Sequence, residues 1–418
     1  MAGILPALRN PNFAIYAAST SFCYVALWIQ RTAMGWLIWE MTESSFWLGL
    51  LSFAYLIPVV LIGPIGGVLA DRVSNLRILI VSQTVMATIS LVVAAWVITG
   101  QITPLALIFL TCVQGTVEAF SQTAQLSLVP AVARGPHLPS AIAVTSMSFN
   151  SSRFVGPAIA GLLIVGLGVP AAFTASALGF LTFLAGLIVL SRKIGPMPST
   201  AEGSFLNALR EGLRYAAGHP TIGPLMVLMV LVGVLGRQAM EMLPGFAEGI
   251  YQSGAFGLSV LTSSAGAGAI VSGLFLNMDG WSRRQALGNI AVLVYILGMA
   301  TIVLTFLPSL WMAALAVATM GYLTARAGIM MQTLINLVSR DNMRGRVLSY
   351  YGVIFRGGPA IGALIAGVLA EWTGLANAIL IGAAALIAST ALWHWRLGAK
   401  IPAGAAEGAM RPEETPGE

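Results

Sequence analysis

Seven ionisable side chains stand inside long apolar runs of this 418-residue chain: Arg31, Glu118, Arg153, Arg237, Glu241, Arg326 and Arg356. A charged group at the centre of a bilayer costs at least about 2.5 kcal/mol on insertion scales, so each of these needs a partner, a watery cavity or a function. Their chemistry limits what that function can be. A guanidinium presents a fixed fork of donors that suits carboxylate, catecholate or phosphate groups. A carboxyl group whose protonation balances burial against a neighbouring guanidinium can carry a proton. Enzyme chemistry is not expected. No serine–histidine or paired-carboxylate constellation stands in a soluble domain, and His137, His219 and His394 are far apart, near turns or ends, so no metal site is predicted. No Gly-x-x-x-x-Gly-Lys-Ser/Thr stretch is present, so ATP is not expected to act on the chain directly. Gly266-Ala-Gly268 lies in an apolar run and reads as close helix packing. No cofactor is predicted.

The elements that must position these charges follow from composition. The chain is 57% hydrophobic and 9% charged, with mean hydropathy +0.87. Soluble domains carry about 25% charged residues, so lipid must be the solvent for much of this surface. A spanning helix needs about 20 apolar residues. Twelve such runs are present, at roughly 12–38, 46–70, 77–99, 103–128, 141–167, 171–191, 221–243, 256–277, 287–306, 309–335, 346–370 and 375–396. The start lacks a basic region followed by a short apolar stretch and cleavage site, so the first run is expected to remain as a membrane helix. Cys23 and Cys112 both lie inside apolar runs, which argues against a disulfide.

Lysine and arginine placement sets the orientation. With the N-terminus inside, the inner segments hold Arg9, Arg72, Arg77, Arg134, Arg192, Lys193, Arg210, Arg214, Arg283, Arg284, Arg340, Arg344, Arg346, Arg396, Lys400 and Arg411. The outer turns hold none, but carry Glu43, Glu248 and Glu371, with Glu40 at a helix end. The pattern predicts both termini in the cytoplasm. The net charge of +6 is therefore no nucleic-acid signal. The longest connection, 192–220, is a linker followed by an amphipathic helix with Phe205, Leu209 and Leu213 on one face, read as a surface helix on the inner side. The predicted organisation is a six-helix bundle over 1–191, this linker, a second six-helix bundle over 221–400, and a polar disordered tail over 401–418.

The halves echo one another. Arg153-Phe-Val-Gly156-Pro157-Ala-Ile-Ala-Gly161 in the fifth run matches Arg356-Gly-Gly358-Pro359-Ala-Ile-Gly362 in the eleventh. Two such halves around a central cavity, with substrate near the midplane, are a transporter plan. The chain resembles the major facilitator superfamily over nearly its whole length. That superfamily's signature after the second helix is Gly-x-x-x-Asp-Arg-x-Gly-Arg-Arg; here Gly67, Asp71 and Arg72 match, Ser74 and Asn75 depart from it, and Arg77 lies one position beyond the last basic site. The stretch from Trp28 to Ser44, Arg344-Gly345-Arg346 and Glu211-Gly212-Leu-Arg214-Tyr215 resemble a bacterial branch that includes enterobactin-exporter-like and macrolide-efflux-like proteins. The exporter motif of the fifth helix is partly met by Ser152, Gly156, Pro157, Ala160 and Gly161. The proton-antiport motif of the fourth helix ends correctly in Gln114-Gly115 but has Thr111 where an arginine belongs.

The resemblance implies an all-α membrane protein of twelve helices in two pseudo-symmetric bundles, in a bacterial cytoplasmic membrane, moving a small molecule by rocker-switch alternating access. It implies an inner gate at Gly67, Asp71, Arg72 and Arg77, fastening the inner ends of the halves, and a cavity lined by the first and fourth helices of each half. Those helices hold Arg31, Glu118, Arg237, Glu241 and Arg326. At about 1.5 Å per residue, Glu118 and Arg326 reach mid-depth together with Arg153 and Arg356, and Arg31, Arg237 and Glu241 sit nearer the outside. Glu118, Arg326, Gln114, Arg31 and Met240 are the candidate cavity residues, with Glu118 as proton carrier. Arg31, Arg237 and Glu241 are expected to pair on the outer side, and Arg153 and Arg356 to pair near the Gly-Pro bends. Trp28, Trp36, Trp39 and Trp47 read as an interfacial belt.

The expected function is export of small amphipathic or anionic organic molecules such as a siderophore, drug or metabolite, coupled to protons, by a monomer in the lipid bilayer. An importer, uniporter or lipid flippase would use the same scaffold; the Gly-Pro motif favours export and the missing fourth-helix arginine weakens a drug–proton antiporter. A membrane sensor without transport would be marked by absence of flux and of ligand-dependent stabilisation.

Overall fold

The computed structural model describes residues 5–72, 74–133, 137–193, 205–274 and 283–396; for 5, 63–72, 205–210, 274, 283–284 and 341–342 it describes the backbone. Among the described residues all regular structure is helical, and twelve helices are long and apolar enough to cross a membrane. They are α1 (Pro11–Thr42), α2 (Ser45–Arg72), α3 (Asn75–Ile98), α4 (Pro104–Val132), α5 (Leu138–Leu167), α6 (Val169–Ser191), α7 (Ile222–Ile250), α8 (Gly254–Leu274), α9 (Arg283–Leu304), α10 (Leu310–Val338), α11 (Asp341–Thr373) and α12 (Leu375–Arg396). A linker helix, Phe205–Gly218, lies between α6 and α7.

Local chemistry sets the helix ends. Asn10 caps α1, its Oδ1 accepting from the amides of Asn12 and Phe13 at 3.0 and 3.4 Å, with Pro11 in the first turn. Thr103 and Pro104 do the same for α4. Single residues join α5 to α6 and α11 to α12. They are Gly168 (φ 84°) and Gly374 (φ 82°), at corresponding places in the two halves, and this backbone conformation is strained for any side chain.

The α7 helix differs from its expected run of 221–243. It continues to Ile250, but not as one α-helix. A wide π-turn at Val232–Gly236 and another at Phe246–Ile250 flank two short helical pieces, Gln238–Glu241 and Leu243–Gly245. The first π-turn packs backbone to backbone on α11: a Cβ on Gly233 would lie 3.0 Å from the Cα of Gly358. Such turns rotate the residues beyond them out of the regular helical register.

The two six-helix sets meet along α2–α11 and α5–α8. Small residues make the approach possible. A Cβ on Gly49 would sit 2.4 Å from the carbonyl oxygen of Ala363, and one on Gly161 2.2 Å from Ser259. We name the two ends of the bundle by their turns: a basic face carrying the arginine-rich connections, and an acidic face carrying Glu43, Glu248 and Glu371. Among the described residues, hydrogen bonds between the halves run from mid-depth to the acidic face. At that face Glu371 of α11 accepts from the Ser44 hydroxyl at 2.6 Å and the Phe46 amide at 3.2 Å, capping α2 from the other half. On the basic side the linker helix docks on α11 through an Arg346–Glu211 ion pair, and the Tyr215 hydroxyl accepts from the Arg340 amide at 3.3 Å.

The tryptophans differ from the expected belt. Trp36 and Trp39 are buried, and a Cβ on Gly245 or Gly249 would meet the Trp39 ring at 3.1 Å, so this side chain packs across the halves. The cause is the glycine pair on α7, which opens a slot for an indole.

Candidate functional site

At mid-depth the halves enclose a cavity of about 150 Å³. Its wall takes Trp28 and Arg31 from α1, Ser52 and Tyr55 from α2, Thr111 and Gln114 from α4, and Arg153 from α5. From the other half come Arg237, Met240 and Glu241 of α7, Thr262 and Gly266 of α8, and Thr324 of α10.

Across the cavity, Arg31 and Glu241 join the two halves. One guanidinium nitrogen of Arg31 donates to both Glu241 oxygens at 2.9 Å, and Ser52 donates to Oε2 at 3.0 Å. The Arg31 guanidinium also lies 5.4 Å from the Trp28 ring centroid and 5.3 Å from that of Tyr55. Arg153 lies 5.5 Å from the same Trp28 ring and has no carboxylate partner among the described residues. Arg237, turned inward beyond the π-turn, donates to the Phe355 carbonyl at 2.9 Å and lies over the Phe355 ring at 4.6 Å. Aromatic faces and a carbonyl stabilise a guanidinium without cancelling its charge.

Glu118 and Arg326 do not line this cavity. Glu118 is 6% exposed, accepts from Gln122 at 2.7 Å, and lies within electrostatic reach of Arg356. Gln114, one turn away, does line it, donating to Gln30 at 3.4 Å. Arg326 lies 5.9 Å from the ring of Tyr322 on its own helix. Of the residues that line the cavity, three guanidiniums, those of Arg31, Arg153 and Arg237, stand against one carboxylate, that of Glu241, for a formal charge of +2.

The Gly-Pro motifs serve close packing. A Cβ on Gly156 would lie 2.4 Å from Trp28 Cβ, and Gly358 meets Gly233 on α7. Pro157 and Pro359 are buried within their helices. Of the gate residues, Arg77 is exposed at the start of α3, whereas the side chains of Gly67, Asp71 and Arg72 lie outside the described residues. Trp28, Ser52, Tyr55 and Thr324 escaped sequence reasoning as cavity residues. Trp28 was within reach of it, standing three residues before Arg31 on the same helical face.

A family model described as a transmembrane secretion effector matches residues 2–414. The chain belongs to this family of the major facilitator superfamily. Among curated superfamily members, it is 24% identical over 398 residues to the enterobactin exporter EntS of Escherichia coli (strain K12), covering 93% of this chain and 94% of that protein. It is 26% identical over 378 residues to the enterobactin exporter EntS of Salmonella typhi, covering 89% of each. Its fold matches the crystal structure of a bacterial homologue of the human lysosomal transporter Spinster, solved in an inward-facing and unoccupied conformation, with TM-score 0.69 and 16% identity over 94% of this chain and 98% of that one. The chain is a multi-pass membrane transporter and not an enzyme.

Proposed function

We propose that this transporter exports small amphipathic organic anions from the cytoplasm of a bacterium across its inner membrane by alternating access. One observation carries the reading: Arg153 faces the cavity against an aromatic ring, with no carboxylate partner among the described residues, in a lining whose formal charge is +2. Such a cavity attracts an anion, and Trp28, Tyr55, Met34 and Met240 give it apolar and polarisable walls for the rest of the molecule. The arginine-rich face is cytoplasmic by the positive-inside rule. The contacts of Glu371 with Ser44 and Phe46 then lie on the outer side, where they would shut the cavity from the outside. Export agrees with the curated relatives and with the Gly-Pro motif of α5. Glu118 carries the coupling proton beside Arg356, the protein works as a monomer, and the 192–220 segment joins two bundles that rock against one another.

Thermal-shift screening of the purified protein against siderophores, drugs and lysolipids tests this. Anionic members should stabilise the wild type and lose their effect on Arg153→Gln. Stabilisation by cations, or anion binding indifferent to Arg153, would overturn the reading.

A further inference from the structure

Beside the main cavity lies a second, smaller one of about 20 Å³, between α7, α10 and α11. The two share Arg237 and Thr324 as lining residues. Beyond that neck the walls are apolar: Met229 and Met331 are 4% and 2% exposed, with Val232, Gly328 and the Phe355 ring completing them. The slot exists because of two features. The π-turn at Val232–Gly236 shifts α7 sideways, and Gly328 brings no side chain to the wall facing Phe355. A Cβ on Gly328 would lie 3.3 Å from Phe355 Cε2.

The neck is polar in a particular way. Hydroxyls of helical threonines in this chain generally bond a carbonyl one turn back, as do those of Thr32, Thr262, Thr301 and Thr319. The Thr324 hydroxyl is enclosed and has no partner among the described residues. In a membrane interior an unmatched hydroxyl costs free energy, so a site that keeps one is suited to a ligand that supplies the match. A molecule entering here meets a guanidinium and a hydroxyl at the neck and an apolar end beyond.

We propose that this slot is a specificity subsite: the transported anion carries, next to its polar group, a compact apolar substituent of about methyl size that lodges between Met229, Met331 and Phe355. The inference rests on the anion reading of the main cavity and sharpens it. The slot holds about one water-sized group, so a long chain does not fit.

The probes are benzoate and its 4-methyl, 4-isopropyl and 4-tert-butyl derivatives, titrated calorimetrically against the full chain in nanodiscs and corrected for partition into empty nanodiscs. In the wild type, affinity should rise about fourfold for the first carbon and stop rising by the isopropyl group. Gly328→Ala narrows the slot and should abolish the methyl-to-benzoate ratio. Met331→Ala widens it and should carry the gain on to the tert-butyl compound. These opposite changes are read as ratios within each protein, so a general loss of stability does not produce them. The same substituent dependence in all three proteins would overturn the slot and leave the anion reading standing. Absence of binding for every probe in the wild type would overturn both.

Discussion

The Arg31–Glu241 pair joins α1 of one half to α7 of the other, so its removal is predicted to act on the balance between conformations more than on either half. The two side chains are 31% and 11% exposed, and Ser52 adds a third hydrogen bond. Breaking a buried pair by removing one partner costs about 3–5 kcal/mol, mostly through the charge left behind. Here Arg31 is partly solvated and rests against Trp28 and Tyr55, which retain some of that energy. We expect Glu241→Gln to destabilise the acidic-face-closed conformation by about 2 kcal/mol, a shift of about 30-fold in the equilibrium. Spin labels at Gln101 and Pro308, exposed turn residues of opposite halves on the acidic face, would report it once Cys23 and Cys112 are replaced. Their distance distribution should move to longer values. The Arg31→Gln, Glu241→Gln double variant should lie closer to wild type than Glu241→Gln alone, because it adds no uncompensated charge to the cavity. An unmoved distribution in the single variant, or a double variant more perturbed than the single, would refute the reasoning.

Three further outcomes are expected. Glu371→Ala removes the cap on α2 and should shift the same label distance by about fivefold in population, for about 1 kcal/mol of lost capping; an unchanged distribution would show the contact idle. Glu118→Gln should abolish transport driven by an imposed pH gradient in proteoliposomes, and undiminished proton-driven flux would remove Glu118 as the carrier. Gly268→Val should lower the melting temperature sharply, since its Cβ would lie 1.8 Å from the Ala318 carbonyl oxygen, whereas Gly273→Ala, with nothing within 4 Å, should stay within about 0.5 kcal/mol of wild type.

Hydropathy made the twelve helices and their order legible, because bilayer thickness and backbone satisfaction leave few alternatives; the superfamily was legible through the resemblance of short motifs such as Gly67, Asp71 and Arg72. The site was only partly legible. Depth estimated from a regular rise places Arg31, Arg237 and Glu241 towards one end, yet all three line the cavity. In α7 the cause is the pair of π-turns, which no apolar run announces. For Arg326 the obstacle is rotation: when lipid and protein interior are equally apolar, the sequence does not tell which face of a helix turns to the cavity, and Thr324 lines it whereas Arg326, two residues on, does not. For Glu118 the obstacle is depth, since it stands on the same face as Gln114 but one helical turn beyond the lining.

The Gly-Pro repeat bears on the chemistry through what it leaves unpaired. In the first half it presses α5 on α1 and sets Arg153 beside Trp28; in the second it presses α11 on α7 and sets Arg237 over Phe355. The arginine comes from the fifth helix in one case and the first in the other, so the halves share the packing but have exchanged the charge. Arg356, the counterpart of Arg153, lies near Glu118 instead. Had both arginines met carboxylates, the cavity lining would be formally neutral. Held by rings and a carbonyl, they keep their field, which is the field the proposed anionic cargo would meet.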